Sequence, residues 1–156
     1  KDIPQPSGGC LLTDPGYSSR LRDLWDYDPE AGARDINLLR AGRHFRLHDR
    51  CKVIVGRQEN ENKMIQAFAE KGDALLFLQN ANGPTTLVRG QCEPKDIELA
   101  AKITARYADV EGRSTVVVDR KGGIPFTLEV DPAKEEEYLS FRIAVQKGRK
   151  KVKALS

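Results

Sequence analysis

The sequence predicts an α+β fold, with a small mixed or antiparallel sheet, two or three packed helices and a helical segment ahead of them. Three observations favour this class. Of the 156 residues, 39% are hydrophobic, which is enough for a buried core. Strand-like segments outnumber helical ones, and some of them are joined by tight turns into hairpins. No apolar run approaches the length of about 18 residues that a transmembrane helix needs, so we expect no membrane-spanning segment.

The first 42 residues predict a connector followed by two helices. Residues 1–9 are rich in Pro, Gly and Ser and show no periodicity. Asp14 followed by Pro15 indicates a helix start, because Asp caps the first turn and Pro fits the first helical position. A short helix is expected over residues 35–41, closed by Gly42. The apolar residues expected to share one face of the first helix are Leu21, Leu24 and Trp25.

From Arg43 onward the apolar period changes to two, which indicates a strand. Phe45 and Leu47 are expected on one face of it, and His44, Arg46 and His48 on the other. Four-to-eight-residue apolar runs bounded by turn residues predict the remaining strands. They lie at residues 52–56, 74–79, 85–89, 115–119 and 124–130.

Two longer helices are expected between these strands. The first opens at Glu59 with acidic residues and closes near Lys71, as the helix dipole prefers. The second begins at Pro94 and carries an apolar stripe that extends to Tyr107. Residues 138–146 fit either a strand or a helix.

The charge is distributed unevenly along the chain. The formal net charge is only +3, but six basic residues and no acidic residue lie between Arg142 and Ser156. A second basic stretch runs from Arg40 to Arg57. Such clusters attract phosphate groups, although a solvated strand face and a soluble tail would show the same pattern.

The cysteines predict a reducing, cytoplasmic location. There are three, Cys10, Cys51 and Cys92, and an odd number this sparse does not suggest a disulfide framework. Cys51 and Cys92 are expected to be small buried hydrophobic residues. We expect no metal site, because the chain has only two histidines and Cys51 does not share the register of His44 and His48.

Cys10 is the one residue in a setting that suits a nucleophile. Gly8 and Gly9 precede it, and the expected helix start just downstream could lower the pKa of its thiol. A cysteine after two glycines is also a common structural accident. No nucleotide-binding loop and no Ser/His/Asp set occur, so this chain alone is expected to hold no cofactor and to catalyse nothing.

Two stretches of sequence resemble known families. Residues 53–62 read Val-Ile-Val-Gly-Arg-Gln-Glu-Asn-Glu-Asn, residues 75–88 form an apolar strand with an Asn-Gly-Pro-Thr turn, and residues 96–101 carry a paired Ala. This order resembles the RNA-binding domain of the NFACT family, proteins linked to ribosomes and translation quality control. The resemblance implies an NFACT-like domain over residues 43–132. The family's Pro-Gly-Ser-His turn is replaced here by a turn without His.

The second stretch, residues 6–14, reads Pro-Ser-Gly-Gly-Cys-Leu-Leu-Thr-Asp and leads into a helix. It is similar to the segment around the second cysteine of the PP-loop tRNA thiolation enzymes. The resemblance implies that residues 1–42 are the end of an upstream catalytic domain plus a linker, and that residues 133–156 form an acidic, then basic, C-terminal segment. It also implies that ATP bound upstream adenylates a uridine, that a persulfide on Cys10 delivers the sulfur, and that a sulfur-carrier protein can be a partner.

The leading hypothesis is therefore a tRNA-binding region that positions tRNA for sulfur transfer. The residues expected to contact phosphates are Arg43, Arg46, Lys52, Arg57, Arg149, Lys150, Lys151 and Lys153. The main alternative is a module that docks on a ribosome or another protein without a catalytic role. A stand-alone thiol enzyme using Cys10 is disfavoured, because no general base is placed beside that cysteine.

Overall fold

The computed structural model describes residues 15–108 and 110–143, which form an antiparallel six-stranded sheet with helices on both faces. The predicted α+β class is confirmed, including the helical segment ahead of the sheet. The strand order is β1-β2-β4-β3-β5-β6. The strands are β1 (Arg43–His48), β2 (Cys51–Val55), β3 (Ala74–Leu78), β4 (Thr86–Gly90), β5 (Ser114–Arg120) and β6 (Phe126–Val130).

The described helices surround this sheet. They are α1 (Pro15–Tyr27), α2 (Ala33–Leu38), α3 (Glu59–Phe68), α4 (Pro94–Arg106) and α5 (Glu135–Tyr138). A 3₁₀ turn, Leu139–Phe141, follows α5. Residues 138–146 were expected to form a strand or a helix, and the described part of them is helical and then irregular. None of the described helices is long and apolar enough to cross a bilayer.

The main core lies between the sheet and α4. The two-residue period of β2 directs Val53 and Val55 toward it, and the three-to-four-residue period of α4 presents Ile97 and Ile103 in return. These side chains are almost completely buried, and each contributes about 1.5–3 kcal/mol to folding. This layer holds the ends of β1, β2 and β4 in a fixed register.

The opposite face of the sheet is covered by α2 and α3, and α1 lies outside α2. Leu24 and Tyr17 of α1 are buried against Leu39. Trp25, expected to share one helical face with Leu21 and Leu24, is 50% exposed, so only part of that face is buried. A short helix like α2 covers only a narrow stripe of α1, and Trp25 lies about 100° around the helix from Leu24.

The two histidines of β1 face opposite sides of the sheet. His44 is buried toward α2, and its Nε2 lies 3.0 Å from the carbonyl oxygen of Ala41. The strand register shifts between Arg46 and His48, and His48 Nε2 lies 2.8 Å from Oδ2 of Asp96 at the start of α4. The prediction of one shared polar face is wrong, because this irregularity breaks the alternation.

Cys51 and Cys92 are joined by a disulfide. Cys51 is buried, as expected, but the expectation that these cysteines remain unpaired is wrong. Pairing of β2 with β4 places Cys51 opposite Gly90, two residues before Cys92, and brings the two Cα atoms to 5.3 Å. The 41 residues between the cysteines conceal this proximity in the sequence.

Candidate nucleic-acid interface

Three basic side chains form a row across three neighbouring strands. Arg46 of β1 pairs directly with Lys52 of β2, and Lys52 pairs directly with Arg89 of β4. Directly paired residues share a face, so all three side chains project toward the side of α2. We call Arg46, Lys52 and Arg89 the basic row.

The two arginines of the basic row are neutralised by carboxylates. Arg46 Nη2 lies 2.7 Å from Oδ1 of Asp23 in α1. Arg89 lies 2.7 Å from both Asp35 and Asp73, through Nη1 and Nη2 respectively. Burial acts to lower the pKa of Arg89, but the hydrogen bonds and charge of Asp73 outweigh it and raise that pKa. These ion pairs relieve the repulsion that like charges on adjacent strands would otherwise cause.

Lys52, in the middle of the row, has no such partner. Its residue exposure is 7%, and no described residue accepts a hydrogen bond from its ammonium group. Burial lowers the pKa of Lys52 from 10.5 to about 8, while the charge of Asp23 partly opposes the change. The group is therefore mostly protonated at neutral pH. It supplies a buried cation that is available to an incoming anion.

A cavity of about 500 Å³ opens beside the basic row. Its apolar part is formed by Leu24, Leu38 and Ile54, and its rim carries Arg50 and Tyr27. The carboxylates that also line it are Asp26, Asp28, Asp35 and Asp49. A cavity that combines a buried cation, several carboxylates and an aromatic rim suits a ligand that has a negative group, hydroxyl or amino donors and a flat ring. A nucleotide unit has all three.

Tyr27 provides the flat surface of this cavity. The ring is 45% exposed, and the Arg46 guanidinium lies 4.3 Å from its centroid. Asp23 holds Arg46 in place, so the ring and the guanidinium form a fixed platform. Bases stack on such aromatic and guanidinium planes in RNA-binding proteins.

Four of the eight predicted RNA-binding residues lie in the described part of the chain, and the structure brings two of these four together. Arg46 and Lys52 both line the cavity. Arg43 lies on the other face of the sheet, 4.1 Å from the centroid of the Tyr107 ring, where burial lowers the pKa of its guanidinium. Arg57 Nη2 lies 2.6 Å from Oε2 of Glu61, away from the cavity. The other predicted site residues lie outside the described residues: Cys10, Arg149, Lys150, Lys151 and Lys153.

Arg46 and Lys52 are the only predicted site residues among those that line the described cavity, and three of the residues missed are Arg89, Arg50 and Tyr27. Arg89 was missed because the pairing of β2 with β4 cannot be read from the sequence, although a charged residue at the end of an apolar strand was a usable signal. Arg50 falls in the basic stretch, but its turn position gave no orientation. Tyr27 is the last residue of α1, and the Asp28-Pro29 break after it drew no attention to the preceding side chain.

Comparison with known proteins gives a family and a fold. Residues 42–142 match the family described as NFACT protein RNA binding domain, a range that contains every described strand. This match supports a nucleic-acid-binding role. No curated protein sequence matches the chain.

One similar solved structure is the C-terminal part of the fibronectin/fibrinogen-binding protein from Streptococcus suis. The TM-score is 0.55 and the sequence identity 15%, over 83% of this chain and 66% of that one. The chain therefore spans less than two thirds of the length of that structure. At this identity the likeness shows the fold alone.

Proposed function

This chain belongs to the family of NFACT protein RNA binding domains, and from that premise we propose that the cavity beside the basic row binds one nucleotide unit of a structured RNA, with tRNA as the substrate class. The observation that carries the proposal is the buried ammonium group of Lys52, which donates no hydrogen bond and forms no ion pair to any residue that the structure describes. A buried cation that no contact compensates is costly, and an RNA phosphate would supply a direct partner.

The neighbouring groups give the proposed ligand its orientation. With the phosphate on Lys52, the base stacks on Tyr27 and Arg46, and the carboxylates at the rim accept hydrogen bonds from ribose hydroxyl or base amino groups. Arg50 is exposed at the rim and hydrogen-bonds Gln91 through Nη1 at 3.0 Å. It is placed to contact a second phosphate. Contacts of this kind recognise the shape and backbone of RNA more than its sequence.

The finer part of the proposal concerns the reaction that the chain serves. We propose that it holds tRNA for an ATP-dependent uridine thiolation carried out by an upstream PP-loop domain, with Cys10 as the sulfur-bearing residue. What supports this is the sequence similarity of residues 6–14 and the helix after them. The basic residues of the C-terminal segment and Arg43 and Arg57 would then contact tRNA outside the cavity.

Equilibrium binding of tRNA to the whole chain tests the RNA role. Fluorescence anisotropy with labelled tRNA at about 50 mM salt should show binding, and Arg50→Ala should weaken it at least about fivefold through loss of a charged contact. The matched control is Arg113→Ala, an exposed arginine at the start of β5 that pairs with Asp131 at 3.3 Å. It should change the affinity less than about twofold. Absence of binding at this salt concentration would contradict the RNA role.

A second candidate function is docking on a protein, including a ribosomal protein. Ile124 is 87% exposed and Phe126 45% exposed, beside and on the edge strand β6. The Streptococcus suis protein whose structure is similar is named for binding fibronectin and fibrinogen. An apolar interface of this kind should respond little to salt, whereas phosphate binding should weaken steeply between about 50 and 200 mM salt.

A further inference from the structure

Three potential metal ligands converge where the β1–β2 turn meets the start of α4, and a fourth is joined to one of them by a disulfide. His48, Cys51 and Asp96 offer ligand atoms that all lie within 4.8 Å of one another. Cys92 lies outside this group of three, but the disulfide places its Sγ next to Sγ of Cys51. We propose that reduction of this disulfide creates a four-ligand zinc site, formed by His48, Cys51, Cys92 and Asp96.

The spacing of the ligand atoms fits a tetrahedral ion. Zinc binds thiolate sulfur at about 2.3 Å and imidazole nitrogen at about 2.0 Å, so ligand atoms in a tetrahedral site lie about 3.3–3.8 Å apart. The ligand atoms of His48, Cys51 and Asp96 already lie within 4.8 Å of one another. The two sulfurs, bonded in the oxidised chain, move apart to about 3.8 Å after reduction. The His48 Nε2 and Asp96 Oδ2 atoms, now 2.8 Å apart, have to separate by about half an ångström. Two thiolates, an imidazole and a carboxylate form a donor set that zinc accepts.

The surrounding backbone holds these ligands with little freedom. The register shift in β1 directs His48 toward α4. Asp96 also accepts a hydrogen bond from the backbone N–H of Glu93 at 2.8 Å, which fixes the carboxylate at the first turn of α4. Such hydrogen bonds to a ligating carboxylate orient it and tune the metal. The Cys92 Sγ lies 3.7 Å from the Arg89 carbonyl oxygen, so the reduced thiol has an acceptor within reach.

The site has a route for the metal to enter. The His48 side chain is 40% exposed, whereas Cys51 is fully buried and the Asp96 side chain is 8% exposed. Zinc would approach on the histidine side and bind the buried sulfurs behind it. The Cys51 side chain points toward α4 and that of Lys52 toward α2, so this site is separate from the proposed RNA cavity.

The two states exclude each other, because both use the same two sulfur atoms. A cellular dithiol supplies two electrons and two protons, the Sγ–Sγ bond breaks, two thiols form, and the reductant leaves as its own disulfide. Zinc then displaces one proton from each thiol. For Nε2 of His48 to bind zinc, the neutral imidazole has to carry its proton on Nδ1. Nδ1 then no longer accepts the 3.3 Å hydrogen bond from the backbone N–H of Arg50. The metal is therefore bound only under reducing conditions.

The sequence predicts no metal site, and the proposed zinc site revises that prediction. That expectation depended on counting only cysteines and histidines and on a regular strand register. The fold adds Asp96 and brings Cys92 next to Cys51, so two cysteines and one histidine suffice.

Cobalt titration of the whole chain tests the proposal. The Cys10→Ser variant is used as background, so that a third thiol cannot contribute. After reduction with a phosphine and removal of the reductant without oxygen, Co²⁺ should bind with a stoichiometry of one. The absorption should show thiolate-to-cobalt charge transfer and the bands of tetrahedral cobalt, and zinc should abolish both. The oxidised chain should show neither signal.

Two substitutions identify the ligands. His48→Gln removes an exposed side chain and should lower the affinity for cobalt more than about tenfold, as should Cys51→Ser. Asp49→Asn, in the same turn but outside the ligand group, is the matched control and should change nothing. Equal binding by the oxidised chain, no binding by the reduced chain, or an unchanged affinity in His48→Gln would each overturn the proposal.

Discussion

Lys52 decides the properties of the proposed RNA site, because its charge is buried and its two basic neighbours are already paired. Arg46 and Arg89 each hold carboxylates at 2.7 Å, so neither has a full charge to offer. Arg46 and Lys52 could be predicted from the basic stretch of sequence. Their relation to Arg89, and the absence of a partner for Lys52 among the described residues, depend on strand pairing that local patterns do not encode.

Replacing Lys52 with Met should change how stability depends on pH. The folded-state pKa of about 8 lies below the ordinary value of 10.5, so below pH 8 the lysine is protonated in both states and the cost of burying its charge is fully present. As the pH rises from 8 to 10.5 the folded state loses this proton first, and the cost disappears. Lys52→Met should therefore be more stable than the wild type at pH 7, by an amount on the order of 2–3 kcal/mol.

Denaturant unfolding of both proteins at several pH values between 7 and 10.5 measures this difference. The advantage of Lys52→Met should stay constant up to about pH 8 and shrink between about pH 8 and 10.5. A difference that does not vary with pH would contradict the lowered pKa.

Gly90 shapes the edge of the cavity and tolerates no side chain. Its φ is +112°, and a Cβ there would overlap the carbonyl oxygen of Arg50 in the β1–β2 turn. Gly90→Ala should therefore lower the free energy of unfolding by more than backbone strain alone would, and that strain costs about 1–3 kcal/mol. Gly72→Ala is the matched control, because Gly72 has a φ of +95° and no atom within 4 Å of its Cβ position. Equal shifts of the denaturation midpoint would show that the contact with Arg50 does not matter.

At the scale of elements, α1 contributes to the cavity and packs in an outer layer, on Leu39 and α2, apart from the main core. Leu24 and Tyr17 pack on Leu39, and the ion pair of Asp23 with Arg46 joins α1 to β1. Most helices and strands could be predicted to within a few residues, because they keep a clear period and several of them end near Gly or Pro. The strand order could not, since β2 pairs with β4 across about 30 residues that include α3 and β3.

Leu24→Ala should loosen α1 without loosening the central sheet. Loss of a buried leucine costs about 2–5 kcal/mol, and here the loss falls on an outer layer. Amide hydrogen exchange in α1 should become more than about tenfold faster, while β2 and β4 should keep their protection. Trp25→Ala, one position along but half exposed, should change exchange in α1 by less than about threefold. Uniform acceleration across the sheet would show that α1 is part of the central core.

At the scale of the whole molecule, the sheet separates two chemistries. The side of α2 carries the basic row and the cavity, and the side of α4 carries the group around the Cys51–Cys92 disulfide. The RNA-binding family could be recognised from short motifs along β2, β3 and α4, and the match over residues 42–142 confirms it. The disulfide could not be predicted, because the paired residues lie far apart in sequence and a small odd number of cysteines favoured free thiols.

The salt dependence of tRNA binding, compared between wild type and Lys52→Gln at pH 7, tests the central claim most directly. Each phosphate contact contributes a fixed part of the slope of log affinity against log salt. The wild type should bind more weakly as salt rises from about 50 to 200 mM, and Lys52→Gln should bind more weakly overall with a slope shallower by about one. Equal slopes in the two proteins, or wild-type binding that ignores salt, would contradict a phosphate on Lys52.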